Sequence, residues 1–378
     1  MSLVLDEHRQ YLADTARLDT FDAALRATVR PGDVVLDLAS GTGILGLLAC
    51  RAGAQRVYAI ELGPIVELAR EVARANGLAD RIIAVNELAS RAHLPEQVDV
   101  IVTDAAGHFG FDGGIIEMLS DARRRFLKPG GRVIPQSLTL SIAPVDAREV
   151  AQHVAFWNAP IRGLSFEPAA RIARSTGYPR HLQTDEILAA PADLVVLDPS
   201  VETRTLSGRA AFTIERASTM YGIGGWFSAT LAPGVILTNA PGAPHRINRR
   251  NVFLPLREPV RVTAGDTVRV GLFIVPASLI VRWRVEVSHA GETIRHQTDA
   301  STFEGMLISR EELARMRPAF QPSLTPAGLA RKTVLDLCDG SCPLSDIEAL
   351  VRDRHPNLFA DHASAAAFVA EVVTRYSH

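Results

Sequence analysis

Four short apolar runs alternate with amphipathic segments in the first third of the chain, and this alternation limits the possible folds more than any other feature. The runs cover residues 34–37, 57–61, 82–85 and 98–102. Uninterrupted apolar runs of this length are typical of strands that are buried on both faces, and helices between such strands give a parallel sheet. The sequence therefore predicts a Rossmann-like, doubly wound α/β domain over residues 34–136, preceded by N-terminal helices in residues 1–33.

The hydrophobic period changes from that of helices to that of strands after about residue 136. Val281, Trp283 and Val285, for example, alternate with charged residues. Such alternation indicates antiparallel strands with one buried face. We expect an antiparallel, β-barrel-like domain over residues 137–300, and a small C-terminal helical domain over 301–378, where helical spacing returns.

Composition excludes several classes of function. The chain has 378 residues, of which 47% are hydrophobic and 22% charged, as in a soluble enzyme with more than one domain. Its formal net charge of −2 gives no field that would attract nucleic acid. Three cysteines are too few for a disulfide framework, and Cys338 and Cys342 lack a second pair for a metal site. We expect a cytoplasmic protein without a metal, nucleic-acid or membrane partner.

A glycine-rich turn joins the first predicted strand to the next helix. The residues from Asp37 to Gly46 match G-x-G-x-x-G, the dinucleotide fingerprint, through Gly41, Gly43 and Gly46. Asp37 would face a pyrophosphate with like charge, whereas it suits the ammonium and sulfonium of S-adenosylmethionine. Glu61, at the end of the second strand, can bind ribose hydroxyls in either cofactor. The charge pattern favours a methyltransferase over a dehydrogenase, and a plain tight turn is the structural alternative.

Further motifs resemble those of the protein arginine methyltransferase family over most of the chain. His8, Asp14 and Arg17 have the spacing of that family's first helical motif, and residues 34–45, 52–61 and 126–135 follow its pattern in register. The resemblance implies S-adenosylmethionine as cofactor, bound by Asp37, Gly41, Gly43 and Glu61, with Arg17 on its carboxylate. Ser90 replaces the family's adenine-contacting glutamate, so that contact is weaker or lost. Residues 157–183 occupy the place of the dimerisation arm, which implies a homodimer.

The departures from this family fall on the substrate side. Asp104 takes the place of the first glutamate that grips the guanidinium, but Gly113 takes the place of the second. The clamp is therefore broken unless Asp112 or Glu117 moves in. The family's T-H-W loop corresponds to residues 246–248, where the tryptophan is absent. We therefore expect N-methylation of a small molecule or peptide in a biosynthetic pathway. The alternatives are a protein or free-arginine methyltransferase and an inactive regulatory or peptide-binding protein that still binds the cofactor.

Four residues are candidates for catalysis. Asp104 can orient a nitrogen nucleophile that becomes cationic as it attacks. His108 can act as a base or as a hydrogen-bonding wall of the site, and His245 as a base or as part of an ordinary surface loop. Asp112 can contact the substrate or cap the helix that begins near Gly114.

The C-terminal segment is not explained by a methyltransferase fold. Residues 335–348 resemble the helical half of the small peptide-binding chaperone of pyrroloquinoline quinone biosynthesis, whose relatives hold the leader segments of modified peptides. A plain helical cap on the β domain is the alternative.

Overall fold

The structure is a computed structural model that describes residues 4–289 and 293–377. The chain forms two compact units, Met1–Met306 and Leu307–His378. The helices of the first unit are α1 (Val4–Ala13), α2 (Thr15–Thr28), α3 (Ile44–Ala52), α4 (Ile65–Ala75), α5 (Ile115–Phe126), α6 (Arg148–Ala155) and α7 (Glu167–Arg174). Among the described residues, no helix is long and apolar enough to cross a membrane.

A parallel sheet forms the first part of this unit. Its strands are β1 (Val34–Leu38), β2 (Arg56–Glu61), β3 (Ile82–Asn86), β4 (Val98–Thr103) and β5 (Leu127–Ile134). They lie in the order β3-β2-β1-β4-β5 with parallel pairing throughout. The order reverses between β1 and β4, so the loops that follow these two strands meet at the carboxyl edge of the sheet. This confirms the predicted doubly wound architecture.

The four predicted strands differ in burial because they differ in position. The central strand β1 is buried along its whole length, as its apolar run predicts. The edge strand β3 has solvent on one side, and Ile83 is 41% exposed. A run of apolar residues thus identified β3 as a strand but overestimated its burial.

Two antiparallel sheets follow in the same unit. Their strands are β6 (Ser137–Val145), β7 (Tyr178–Arg180), β8 (Ala192–Leu197), β9 (Leu206–Thr213), β10 (Ser218–Ala232), β11 (Val235–Thr238), β12 (Asn251–Val262), β13 (Asp266–Val275), β14 (Ile280–His289) and β15 (Ile294–Ser301). One sheet has the order β7-β12-β10-β6-β8, with β11 beside β10, and the other has the order β15-β14-β13-β9. The indole of Trp283 on β14 is fully buried and donates to the carbonyl oxygen of Pro255 on β12, which joins the two sheets. The finer boundaries at residues 33/34 and 136/137 stay predictions, because the parallel and antiparallel sheets share one unit.

The second unit is helical and has a core of its own. Its helices are α8 (Arg310–Arg315), α9 (Pro326–Leu337), α10 (Leu344–Arg354) and α11 (His362–Tyr376). Val334, Ile347, Val351 and Val369 pack together from α9, α10 and α11. The peptide-binding and helical-cap interpretations of this segment both stay predictions.

Ala39, in the turn after β1, gives a first test of the local backbone. Its φ of 55° lies in the left-handed region, where a Cβ costs about 1–2 kcal/mol. We predict that Ala39→Gly raises the free energy of unfolding by roughly 0.5–1 kcal/mol, as measured by urea denaturation. The control Ala49→Gly, inside α3, should lower it by about 1 kcal/mol or more. A loss of stability in Ala39→Gly would contradict the strain argument.

Candidate active site

The loops after β1 and β4, together with α1 and α2, enclose a cavity of about 280 Å³ at the carboxyl edge of the parallel sheet. The side chains that line it include His8, Tyr11, Arg17, Asp104, His108 and Arg249. The glycine turn contributes Gly41, and the loop after β4 contributes Gly107 and Gly113. The two predicted regions, cofactor turn and substrate loop, therefore face the same cavity.

Asp37 lies at the end of β1, beneath the glycine turn. Its Oδ2 accepts a hydrogen bond from the backbone N–H of Gly46 at 2.9 Å, while its buried Oδ1 has no partner among the described residues. Burial raises the pKa of Asp37 to about 7. The hydroxyl of Ser40 in the same turn is also buried and has no hydrogen-bond partner among the described residues. A cationic ligand such as an ammonium would compensate this carboxylate, which fits the predicted cofactor.

Glu61 ends β2 and is fixed by backbone donors. Its Oε2 accepts from Gly41 N–H at 3.0 Å and its Oε1 from Gly63 N–H at 2.8 Å. Each carboxylate oxygen keeps a further lone pair that can accept a ribose hydroxyl. The φ of Gly41 is +55°, which favours glycine, and a Cβ there would lie 2.8 Å from the His8 ring of α1, which would have to move aside. Gly43, with φ of 77°, is the N-cap residue that precedes α3.

Arg17 is buried in α2 and reaches the substrate loop. Its Nε donates to Asp104 Oδ2, and its Nη1 donates to the carbonyl oxygen of Tyr11 at 3.3 Å. Its Nη2 has no hydrogen-bond partner within residues 4–289 and 293–377, so it can bind a cofactor carboxylate. Asp14 caps α2 by accepting from Arg17 N–H, and its other oxygen accepts from Asn248 N–H at 2.7 Å.

Asp104 lies between two guanidinium groups. Besides Arg17, it binds Arg249, whose Nη1 donates to Oδ1 at 3.1 Å and whose Nη2 donates to Oδ2 at 2.8 Å. Burial alone would raise the pKa of Asp104, but the charges of Arg249 and Arg17 outweigh it and hold the pKa below its usual value. The carboxylate is therefore ionised and fully engaged in this arrangement.

Asp112 closes the substrate loop instead of capping the next helix. Its two oxygens accept from the backbone N–H groups of His108 at 3.0 Å and Phe109 at 2.8 Å. The helix α5 begins after Gly114, which provides no side-chain cap, so the capping alternative was wrong. A Cβ at Gly113 would lie 2.1 Å from the carbonyl oxygen of Ala105. No side chain fits at this position unless the loop moves.

His108 borders the cavity from the same loop. Its Nδ1 is buried and has no partner among the described residues. Burial lowers the pKa of His108; the charge of Asp112 opposes this, but the charge of Arg249 adds to it, and the pKa stays below its usual value. The imidazole is therefore neutral at physiological pH and can accept a proton.

Comparison with known proteins agrees with this geometry. The model of the ribosomal protein L11 methyltransferase (PrmA) family matches residues 20–138. Protein arginine N-methyltransferase 6 of Xenopus tropicalis is 30% identical over 288 residues, which are 72% of this chain and 84% of the relative. The chain belongs to the protein arginine methyltransferase family. It is an S-adenosylmethionine-dependent methyltransferase, as the sequence predicts.

Two solved structures of this family share its fold. One is the Trypanosoma brucei PRMT1 enzyme-prozyme heterotetrameric complex with AdoHcy, with a TM-score of 0.70, 22% identity and coverage of 78% of this chain and 97% of that one. The other is Arabidopsis thaliana protein arginine methyltransferase 10, with a TM-score of 0.68, 22% identity and coverage of 79% and 98%. The predicted fold, a Rossmann-like sheet followed by an antiparallel β domain, is confirmed.

Of the predicted site residues, Arg17, Gly41, Asp104 and His108 line this cavity, and six do not: Asp37, Gly43, Glu61, Ser90, Asp112 and His245. Ser90 is exposed in a turn after β3, and no described contact joins it to the cavity lining. His245 is exposed in a turn before Arg246 and is likewise not among the lining residues. Glu117, considered as a replacement for the second glutamate, lies in the first turn of α5 and does not line the cavity. Catalytic roles for His245 and Glu117 stay predictions that the lining of this cavity does not support.

The sequence did not identify Arg249 or the two asparagines that hold the substrate loop. Asn239 is buried and its Nδ2 donates to the carbonyl oxygens of His108 and Arg250, both at 2.8 Å. Asn251 in turn donates to the carbonyl oxygen of Asn239 at 2.7 Å. The only indication in the sequence was that these polar residues adjoin the apolar strands β11 and β12. Their role could not be predicted, because Asn239 contacts His108, which is distant in sequence.

The raised pKa of Asp37 predicts how cofactor affinity changes with pH. Below its pKa of about 7, the free protein holds a proton on Asp37, and that proton must leave for the carboxylate to compensate a cationic cofactor. We predict that S-adenosylmethionine affinity falls as the pH drops below 7, by up to about tenfold per pH unit. Calorimetry on either side of pH 7 measures it. Asp37→Asn should bind more weakly and lose most of this dependence, and an equal slope in both proteins would contradict the assignment.

Proposed function

We propose that this chain transfers a methyl group from S-adenosylmethionine to a guanidinium nitrogen of arginine in a protein or peptide. One observation carries the proposal: the Asp104 carboxylate, on the wall of the cofactor cavity, binds the Arg249 guanidinium through both oxygens. This wall therefore has the charge and shape that a guanidinium acceptor needs. The names of the relatives, which are arginine N-methyltransferases, support the same acceptor.

The residues around the cavity supply the chemistry that the acceptor requires. S-adenosylmethionine supplies an electrophilic methyl group when bound. Asp104 orients the acceptor nitrogen and stabilises the positive charge that develops on it. The new bond to nitrogen forms as the bond from sulfur to the methyl carbon breaks, and the nitrogen then loses a proton. We propose that His108, which lines the same cavity, accepts that proton.

A second candidate acceptor is an amine or imidazole nitrogen of a small molecule or peptide. The observation that favours it is the closed backbone at Gly113, which leaves no room for a second carboxylate. One carboxylate can steer an amine or an imidazole, whereas a guanidinium with five donors is fixed better by two. The departures of the substrate loop from the family pattern favour an amine or imidazole. The names of the relatives favour arginine instead.

Matched peptides separate these acceptors. We predict that an arginine-containing peptide gains methyl groups by mass spectrometry, while peptides with lysine or histidine at the same position gain few. Asp104→Asn should reduce turnover by about 100-fold or more, because the charge that favours the developing cation is lost. Circular dichroism of the variant controls for folding.

Each other outcome contradicts the proposal in a different way. Methylation of only the lysine or histidine peptide would establish the second candidate. Cofactor binding without transfer to any peptide or to free arginine would indicate the regulatory alternative. Full turnover by Asp104→Asn would remove Asp104 from the reaction.

We also propose a homodimer. Phe156, Leu164 and Phe166 are 57%, 66% and 37% exposed in and beside the segment that corresponds to the dimerisation arm. A largely apolar groove of about 850 Å³ lies along α1, α3 and α4 of the same unit, with Leu12 and Leu68 in its wall. The arm of a second copy would bury both surfaces.

Light scattering tests the dimer. We predict a dimer for the unmodified protein and a monomer for Leu164→Asp, because an aspartate in an apolar contact would be buried without a partner. Val196→Asp, at an equally exposed apolar residue on β8, is the matched control and should stay dimeric. A monomeric unmodified protein would refute the proposal.

A further inference from the structure

Arg249 is, like Arg17, a buried cation in the wall of the cavity. It is 9% exposed. Its Nη1 and Nη2 donate to the two carboxylate oxygens of Asp104. Nη1 also makes a longer bond of 3.4 Å to the backbone carbonyl oxygen of Asp104. The guanidinium lies 5.9 Å from the centre of the Tyr11 ring. Arg249 thus uses Asp104 in the paired, planar way in which a carboxylate binds a free guanidinium.

This arrangement leaves Asp104 no edge on which a second guanidinium could bind both oxygens, because only one lone pair, on Oδ1, stays free. Oδ1 accepts from Arg249, and Oδ2 accepts from both Arg249 and Arg17. An arginine acceptor added to this cluster would place three guanidinium groups around one buried carboxylate. Burying that excess of positive charge is strongly unfavourable.

We propose that Arg249 occupies the acceptor's guanidinium position and that a cationic acceptor reaches Asp104 only by displacing it. The inference rests on the proposed arginine acceptor, and it makes Arg249 a specificity-determining residue. Acceptors that cannot replace a guanidinium on Asp104 would leave Arg249 in place and remain outside the site.

The position of Arg249 in the chain makes such a displacement feasible. It lies in the irregular segment between β11 and β12, where its neighbours Asn248 and Arg250 are both exposed. The described bonds of its guanidinium all go to Asp104. Arg17, by contrast, lies within α2 and also donates to the Tyr11 carbonyl oxygen, so it is held independently of Asp104. Of the two cations, Arg249 is the one that can leave towards solvent.

Ethylguanidinium, a small arginine mimic, tests this without any need for turnover. In the full-length protein loaded with S-adenosylhomocysteine, Arg249→Ala should bind ethylguanidinium at least about tenfold more tightly than the unmodified protein, the gain expected from one vacated charged hydrogen-bonding position. Arg250→Ala, an adjacent exposed arginine, should show no gain. The gain should disappear in the double variant with Asp104→Asn. Titration calorimetry measures all four proteins.

Kinetics and a second variant complete the test. The KM for an arginine peptide should fall in Arg249→Ala. Arg249→Lys keeps the charge but cannot bind both oxygens in one plane, so it should give a smaller gain and serves if the alanine variant fails to fold. No gain in a folded Arg249→Ala or Arg249→Lys protein would overturn the inference, even if arginine peptides are methylated. A gain without methylation of any arginine peptide would support the inference and refute the proposed acceptor.

Discussion

The carboxylate of Asp104, shared between two guanidinium groups, is the interaction on which the site depends. It joins three segments that are far apart in sequence: α2 through Arg17, the end of β4 through Asp104 itself, and the segment before β12 through Arg249. A buried carboxylate costs free energy unless cations compensate it, and removing one partner of such a cluster costs about 3–5 kcal/mol. The position of the parallel sheet relative to β12 is therefore coupled to the charge balance of the cavity.

The cofactor could be predicted from the sequence because the residues that indicate it are close together in the chain. A carboxylate at the end of one buried strand, two glycines in the next turn and a carboxylate at the end of the following strand all lie within 25 residues, from Asp37 to Glu61. Parallel pairing then brings these strand ends to one edge, as the register of Asp37 with Ala59 shows. Ser90 was harder to place because the turn after the edge strand β3 has no neighbouring strand on its outer side.

The acceptor side could not be predicted in the same way. Arg249 and Asp104 are 145 residues apart, and no periodicity links a turn before β12 to the loop after β4. Asp112 belongs to the substrate loop by sequence, but its contacts depend on geometry, since two backbone N–H groups take both oxygens that a helix cap would have used. A role for His245 stays a prediction, because the chain turns at that point and exposes its side chain, while Arg249 enters the cavity.

The closure of the substrate loop limits which carboxylates can face an acceptor in the reaction that we propose. Asp112 draws the backbone of His108 and Phe109 inwards, and this brings Ala105 so close to Gly113 that no side chain can project there. A second carboxylate is therefore excluded by the backbone and not merely replaced. Asp104 is the carboxylate that bonds to both arginines, whereas Asp37 acts on Arg17 and Asp112 acts on Arg249 only through space. A third guanidinium at Asp104 would be poorly compensated there, so in the exchange that we propose, binding of a cationic acceptor and departure of Arg249 occur together.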